Sequence, residues 1–211
     1  MKLEGKKINF LGDSITAGVG TTCEENIYLN VIKRECGLAE ARNYGISGTR
    51  IARQQDEENY GNPYCDRYKT MDNDADVIVV FGGTNDYGHG RAPIGTFDDR
   101  TPDTYYGAWH VLLSGLIEKY TDAAIVVMTP LHRSEESMPS PGNGKPLEVY
   151  VDIAKEVAKY YSVPVLDLWS VSGIQPCIPA IKEKYCPDGL HPSDAGNRLI
   201  ANRLIGFLKT L

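Results

Sequence analysis

A chain of 211 residues with 42% hydrophobic and 24% charged residues is long enough for one well-cored domain and short for two. Its net charge of −6 offers no basic surface for nucleic acid and no attraction to an anionic membrane. No stretch reaches the roughly 18 apolar residues that read as a bilayer span. The first residues, Met1-Lys2-Leu3-Glu4-Gly5-Lys6-Lys7, are charged but lack an apolar stretch and a cleavage site. They do not read as a secretory signal, so a cytoplasmic location is expected.

In chain order, the first strand-like run is residues 8–11, followed at once by Gly12-Asp13-Ser14-Ile15-Thr16-Ala17-Gly18. A glycine-rich turn from strand to helix could cradle a phosphate. The P-loop lysine is missing, however, and G-x-G-x-x-G fails here. What remains is Ser14 on a tight turn at a helix start, where a serine is either a cap or a nucleophile. The second run, residues 41–44, leads into Asn43-Tyr44-Gly45-Ile46-Ser47-Gly48. Gly48 there reads either as an unhindered backbone N–H donor or as a plain turn. The third run, residues 76–81, ends in Gly82-Gly83-Thr84-Asn85-Asp86. Two glycines let the backbone approach a ligand, and the Asn85 amide is a candidate oxyanion donor. The alternative for Asn85 is a local Asx turn.

Trp109, Leu112, Leu113, Leu116, Ile117 and Tyr120 then share one face of a helix that Thr101-Pro102 would start. The fourth run is residues 124–128. Leu147, Tyr150, Val151, Ala154, Ala158 and Tyr161 make a second helical face, and residues 164–167 a fifth strand-like run. Asp188-Gly189-Leu190-His191-Pro192 comes next, and then a helix capped by Ser193 with Leu199, Ile200, Leu204, Phe207 and Leu208 on one face.

The runs at 76–81 and 124–128 are almost continuously apolar and β-branched, the pattern of strands buried on both faces. Alternating strands and helices predict an α/β fold, a three-layer α/β/α sandwich around a central, mostly parallel five-stranded sheet in a single domain over 1–211. In such sheets the chemistry lies in the loops at the carboxyl ends of the strands. The D-x-x-H pair lets Asp188 hold the Nδ1–H of His191, leaving Nε2 free to take a proton. Such a pair could also be half of a metal site, but His89, His110 and His132 show no ligand spacing and H-E-x-x-H is absent. No metal and no cofactor is expected. The five cysteines (Cys23, Cys36, Cys65, Cys177, Cys186) form no C-x-x-C pair. They are expected to be free thiols, with a Cys177–Cys186 bridge as the alternative in an exported protein.

Taken together and in this order, the motifs resemble the four blocks of the SGNH (GDSL-type) hydrolase superfamily. Gly-Asp-Ser matches at Ser14, Asn-Tyr-Gly-Ile-Ser-Gly at Gly48, Gly-Gly-Thr-Asn-Asp at Asn85, and Asp-Gly-Leu-His-Pro at Asp188 and His191. The resemblance spans residues 12–192 and implies a flavodoxin-like architecture. The third block matches as Gly83-Thr84-Asn85-Asp86, with Gly82 closing the strand. The pentapeptide G-x-S-x-G of ordinary α/β-hydrolases is absent.

What the resemblance implies is a serine esterase: Ser14 as nucleophile, His191 as general base, Asp188 orienting it. The backbone N–H groups of Ser14 and Gly48 and the Asn85 amide would form the oxyanion hole. Asp13, Tyr87 and His89, beside these blocks, are substrate-binding candidates. The loop Tyr87-Gly88-His89-Gly90-Arg91 and the segment 132–145 are polar, which favours a short acyl group, such as acetyl, on a polar or carbohydrate alcohol. Alternatives are a lysophospholipase or thioesterase, an acyltransferase using the same acyl-enzyme, and a non-catalytic ligand-binding domain. The expected partner is a small-molecule ester, with no nucleic acid and no membrane; the sequence is silent on oligomeric state.

Overall fold

The apolar runs become the strands of one parallel sheet in a computed structural model that describes residues 1–54 and 61–211. In chain order these are β1 (Lys7–Gly12), β2 (Glu40–Gly45), β3 (Val77–Phe81), β4 (Ala124–Met128) and β5 (Val165–Leu166), arranged β2-β1-β3-β4-β5. Every pairing is parallel, with Ile8 opposite Val77 and Ala41, and Val77 opposite Ala124.

The helices between them are α1 (Ser14–Ala17), α2 (Tyr28–Cys36), α3 (Tyr64–Arg67), α4 (Thr84–His89) and α5 (Tyr105–Lys119). They continue with α6 (Leu147–Tyr160), α7 (Leu168–Val171), α8 (Pro179–Tyr185) and α9 (Asp194–Thr210).

Because successive strand side chains point to opposite faces, β3 feeds two cores. Ile78 and Val80 pack with Trp109, Leu112, Leu113 and Leu116 of α5 and with Tyr150 and Ala154 of α6. Val77, Val79 and Phe81 pack with Tyr28 and Ile32 of α2 and with Ile200, Leu204 and Leu208 of α9. All five β3 side chains are at most 2% exposed. Burial of each such side chain contributes about 1.5–3 kcal/mol. This is the three-layer arrangement expected from the apolar runs. Ser193 caps α9 as expected, its Oγ accepting from the Gly196 N–H at 3.3 Å.

Two local expectations are corrected. Helix α5 starts at Tyr105 rather than behind Thr101-Pro102, because the Thr104 hydroxyl is the one that caps it, accepting from the Gly107 N–H at 3.1 Å. Of the expected loop 87–91, residues 87–89 are helical and end α4. Gly83, at φ +109°, turns the end of β3 directly into α4, a left-handed conformation that a β-carbon would strain.

The strand order reverses between β1 and β3, since the chain leaves β1 for β2 and returns on its other side to β3. A crevice opens at such a switch point, outside the carboxyl ends of the strands. Ser14 follows β1 and Asn85 follows β3, so both stand there. Among the described residues no helix is long and apolar enough to cross a membrane. All five cysteines are free thiols; Cys186 is buried and Cys177 exposed.

Candidate active site

Ser14 is the first residue of α1, so its backbone N–H has no intrahelical acceptor. The preceding Asp13 caps the helix, its Oδ1 accepting from the Ile15 N–H at 3.0 Å. Asp13 is 2% exposed. Burial pushes its carboxyl up to about 6, against the pull of the Ile15 N–H and of His191 and Arg67. This is a capping place rather than one open to a ligand.

From the far end of the chain, 177 positions away, His191 places Nε2 3.0 Å from Ser14 Oγ. Its Nδ1 lies 2.7 Å from Asp188 Oδ2. The other Asp188 oxygen accepts from the backbone N–H groups of Leu190 at 2.8 Å and His191 at 2.7 Å. Partial burial works to raise the Asp188 carboxyl, but these hydrogen bonds outweigh it and hold it below its ordinary range. Asp188 is therefore an anion at neutral pH. An ionised carboxylate only accepts, so Nδ1 carries the imidazole proton and the Nε2 lone pair faces the Ser14 hydroxyl. The histidine turn is seated by Gly20, at φ +96°. A β-carbon there would stand 2.7 Å from the Pro192 carbonyl oxygen and 3.0 Å from His191 Cβ.

The second block is brought in by contacts that its motif does not reveal. The Ile46 N–H donates to the Gly12 carbonyl at 3.1 Å. Arg67, 9% exposed, donates to the carbonyls of Gly12 and Tyr44 and to Thr49 Oγ1, tying β1, β2 and the Gly48 loop together. Gly48 sits in the left-handed region at φ +75°. Asp86 holds the continuation of this loop: its carboxylate accepts from the N–H groups of Ile51 at 2.9 Å and Ala52 at 3.1 Å. Complete burial pushes the Asp86 carboxyl up to about 7, only partly countered by those two N–H groups and Arg50.

Asn85, 5% exposed, donates from Nδ2 to the Thr49 carbonyl at 3.1 Å, next to Gly48. Its Oδ1 is 3.1 Å from His89 Nε2. The ring of His89 also meets the Arg50 guanidinium through Nδ1. Partial burial, with the Arg50 and Arg133 cations, pushes the His89 imidazole down to about 4. Tyr87 lies elsewhere. It is 5% exposed, and its hydroxyl donates to the carbonyls of Glu135 at 2.6 Å and Met138 at 3.1 Å. It anchors the segment after β4 rather than facing a ligand. The Gly82-Gly83 pair, expected to bring backbone to a ligand, meets the protein's own rings: β-carbons there would strike Tyr64 and the Tyr105 hydroxyl at 2.6 Å.

Asp13 and Ile15, the chain neighbours of Ser14, border with Thr84, Leu131, Arg133 and Leu190 a pocket of about 10 Å³, the size of one water position. Arg133 reaches Thr84 Oγ1 at 3.2 Å and lies over the Tyr87 ring. His132, with Nδ1 2.9 Å from Glu136, stacks on Trp169 at 3.8 Å. Among the described residues no three His, Cys, Asp or Glu side chains converge as metal ligands.

Sequence reasoning assigned no role to Arg50, Arg67, Asp86 or Arg133. For the arginines there was no signal, since a buried guanidinium is recognised by what surrounds it. Asp86 adjoins Asn85 in the same block, and the spacing of Asn85 and His89 is the i, i+4 step of a helix face.

The model of the GDSL-like lipase/acylhydrolase family matches residues 10–199. A search among curated proteins returned no match. Among solved structures, a protein from Lactobacillus plantarum is 32% identical, with 98% of each chain covered and a TM-score of 0.87. A lipase/acylhydrolase from Enterococcus faecalis is 22% identical, covering 97% of this chain and 96% of its own, TM-score 0.67. A two-domain esterase active on acetylated mannans is 21% identical over 99% of this chain and 50% of its own, TM-score 0.63. The last two likenesses are of fold.

Proposed function

The chain belongs to the GDSL-like lipase/acylhydrolase family and is a carboxylic ester hydrolase; we propose that it removes a short acyl group from a polar or carbohydrate alcohol through an acyl-enzyme on Ser14. The observation that carries this reading is the chain of contacts from Ser14 Oγ through His191 to Asp188, at 3.0 and 2.7 Å.

His191 Nε2 takes the hydroxyl proton as Ser14 Oγ attacks the ester carbonyl, and Asp188 stabilises the imidazolium that forms. The tetrahedral oxyanion lies among the Ser14 and Gly48 N–H groups and the Asn85 amide. Collapse breaks the bond to the alcohol oxygen, which His191 protonates. Water, deprotonated by the same imidazole, then attacks the acyl-enzyme, and Ser14 leaves with the proton returned.

A small acyl group is favoured because the pocket next to the Asp13–Ile15 turn is only water-sized and leaves no room there for a long chain. A polar alcohol is favoured by Arg133 and His132, which line that pocket, and by Glu136, which pairs with His132. The same fold serves an esterase active on acetylated mannans. The test is a kcat/KM series on p-nitrophenyl esters from acetate to long chains, repeated with acetylated sugars. The expected result is a maximum at acetate and turnover of the sugar esters; a steep preference for long chains would contradict it.

A further inference from the structure

One face of α4 carries three residues that grip the segment 49–52. Asn85 donates to the Thr49 carbonyl, Asp86 accepts from the Ile51 and Ala52 N–H groups, and His89 meets the Arg50 guanidinium. The segment they grip follows directly on Gly48. Asn85 and His89 also touch each other, Nε2 of the imidazole standing 3.1 Å from Oδ1 of the amide.

The donor and acceptor roles along this chain are fixed from both ends. A guanidinium has no acceptor, so Arg50 donates to His89 Nδ1. A neutral imidazole accepting at Nδ1 carries its proton on Nε2, and that proton points at Asn85 Oδ1. At the other end, the Thr49 carbonyl can only accept, so the amide atom facing it is Nδ2. The two assignments are independent and agree: the amide oxygen is turned toward His89 and the amide nitrogen toward the Gly48-Thr49 loop. With one N–H committed to Thr49, the second N–H of Asn85 is the one left for a substrate.

We infer that His89 is a positioning residue, a neutral imidazole through which Arg50 locks the Asn85 carboxamide with its nitrogen toward the oxyanion. The inference rests on the reading of Asn85 as an oxyanion donor. It gives His89 a role different from the direct substrate contact expected of it, although the residue is exposed. Arg50 is well placed to anchor the chain: it is 6% exposed, and it also donates to the His89 carbonyl at 3.2 Å. The low pKa of the imidazole, about 4, agrees with a ring that stays uncharged beside a guanidinium at neutral pH. Without His89, the amide loses one of its two constraints, and an amide free to rotate about its last torsion aims its N–H group poorly. Misplacement of this kind is costly where a fixed dipole must meet developing charge.

The experiment is a double-mutant cycle on hydrolysis of p-nitrophenyl acetate, with Asn85→Ala, His89→Ala, both together, and His89→Gln. His89→Ala should lower kcat by about 10- to 100-fold with KM little changed. His89→Gln, whose amide N–H can occupy the Nε2 position, should recover much of it. In the Asn85→Ala background the His89→Ala change should cost nothing further, because it acts through the missing amide. A His89→Ala effect confined to KM, or one that persists undiminished without Asn85, would overturn the positioning role. An unimpaired Asn85→Ala enzyme would overturn the oxyanion assignment and this inference with it, while loss of activity in Ser14→Ala tests the esterase reading separately. Should His89→Ala fail to fold, ¹⁵N NMR of the wild-type imidazole at pH 7 decides: a protonated Nε2 and bare Nδ1 are expected, and the opposite tautomer or a doubly protonated ring would overturn the relay.

Discussion

Two carboxylates near Ser14 sit in opposite electrostatic settings. Asp188 is half exposed and anchored by N–H donors, so it stays ionised; Asp13 is buried, and its carboxyl rises to about 6. The sign for stability follows. A carboxyl whose folded pKa lies above its usual value near 3.8 binds more protons folded than unfolded. The contribution of Asp13 is therefore fully present below about pH 4 and is lost as pH rises through about 6. Asparagine keeps the cap without the charge. Asp13→Asn should accordingly raise Tm at pH 7.5 and leave it nearly unchanged at pH 4, read by thermal unfolding; a lower Tm at pH 7.5 would contradict this burial account. For Asn85→Ala the expectation is a kcat loss of roughly 10²–10³ with a measurable remnant, since one oxyanion donor is removed and the nucleophile stays. Steady-state kinetics on p-nitrophenyl acetate measures it. Ser14, Asp188 and His191, which the fold joins in one chain of contacts, could be picked out in the sequence because each lies in a short motif, as Gly48 and Asn85 do. The arginine clamps could not: Arg67 reaches the carbonyls of Gly12 and Tyr44, and only the fold brings those together.

At the scale of elements, short connections aim the chemistry. Gly20 lets the chain after α1 pass against the histidine turn, and Thr22 fixes it by donating from N and Oγ1 to Asp194 at 2.9 and 2.6 Å. Gly20→Ala would combine a strained positive φ with a collision at Pro192 and His191. It should cost about 1–3 kcal/mol in urea unfolding and lower kcat through displacement of the imidazole. Gly206→Ala is the matched opposite, since this glycine lies within α9 and a β-carbon there meets nothing within 4 Å. It should stabilise by about 0.5–1 kcal/mol with no change in kcat. Strand positions were legible to within a residue or two; for β3 and β4 the reason is that a strand buried on both faces must be apolar along its length. Helix starts were less so: Thr101 and Thr104 are equally good caps by composition, and only Thr104 has the Gly107 N–H in reach. The short α4 escaped notice because two glycines precede it and it contains a third.

The molecule as a whole is a sheet with a core on each face, and Ser14 and His191, 177 positions apart in the chain, meet at the switch point between β1 and β3. We expect residues 1–211 to unfold as one domain. Leu112→Ala, under α5, and Leu204→Ala, under α9, each empty a fully buried site on opposite faces. Each should cost about 2–5 kcal/mol and shift one common transition. A variant that splits the calorimetric transition in two would contradict the single domain. The layered architecture was legible from the alternation of patterns. The order of the strands, which decides where the crevice opens, was not, because it depends on pairings between segments distant in sequence.

Acylation of Ser14 can be read by intact-mass analysis after treatment with a fluorophosphonate. The expected result is one phosphonyl adduct, mapped to Ser14, absent in Ser14→Ala together with hydrolysis of p-nitrophenyl acetate. A wild-type protein that takes up no label, or a Ser14→Ala protein that hydrolyses the ester undiminished, would contradict it.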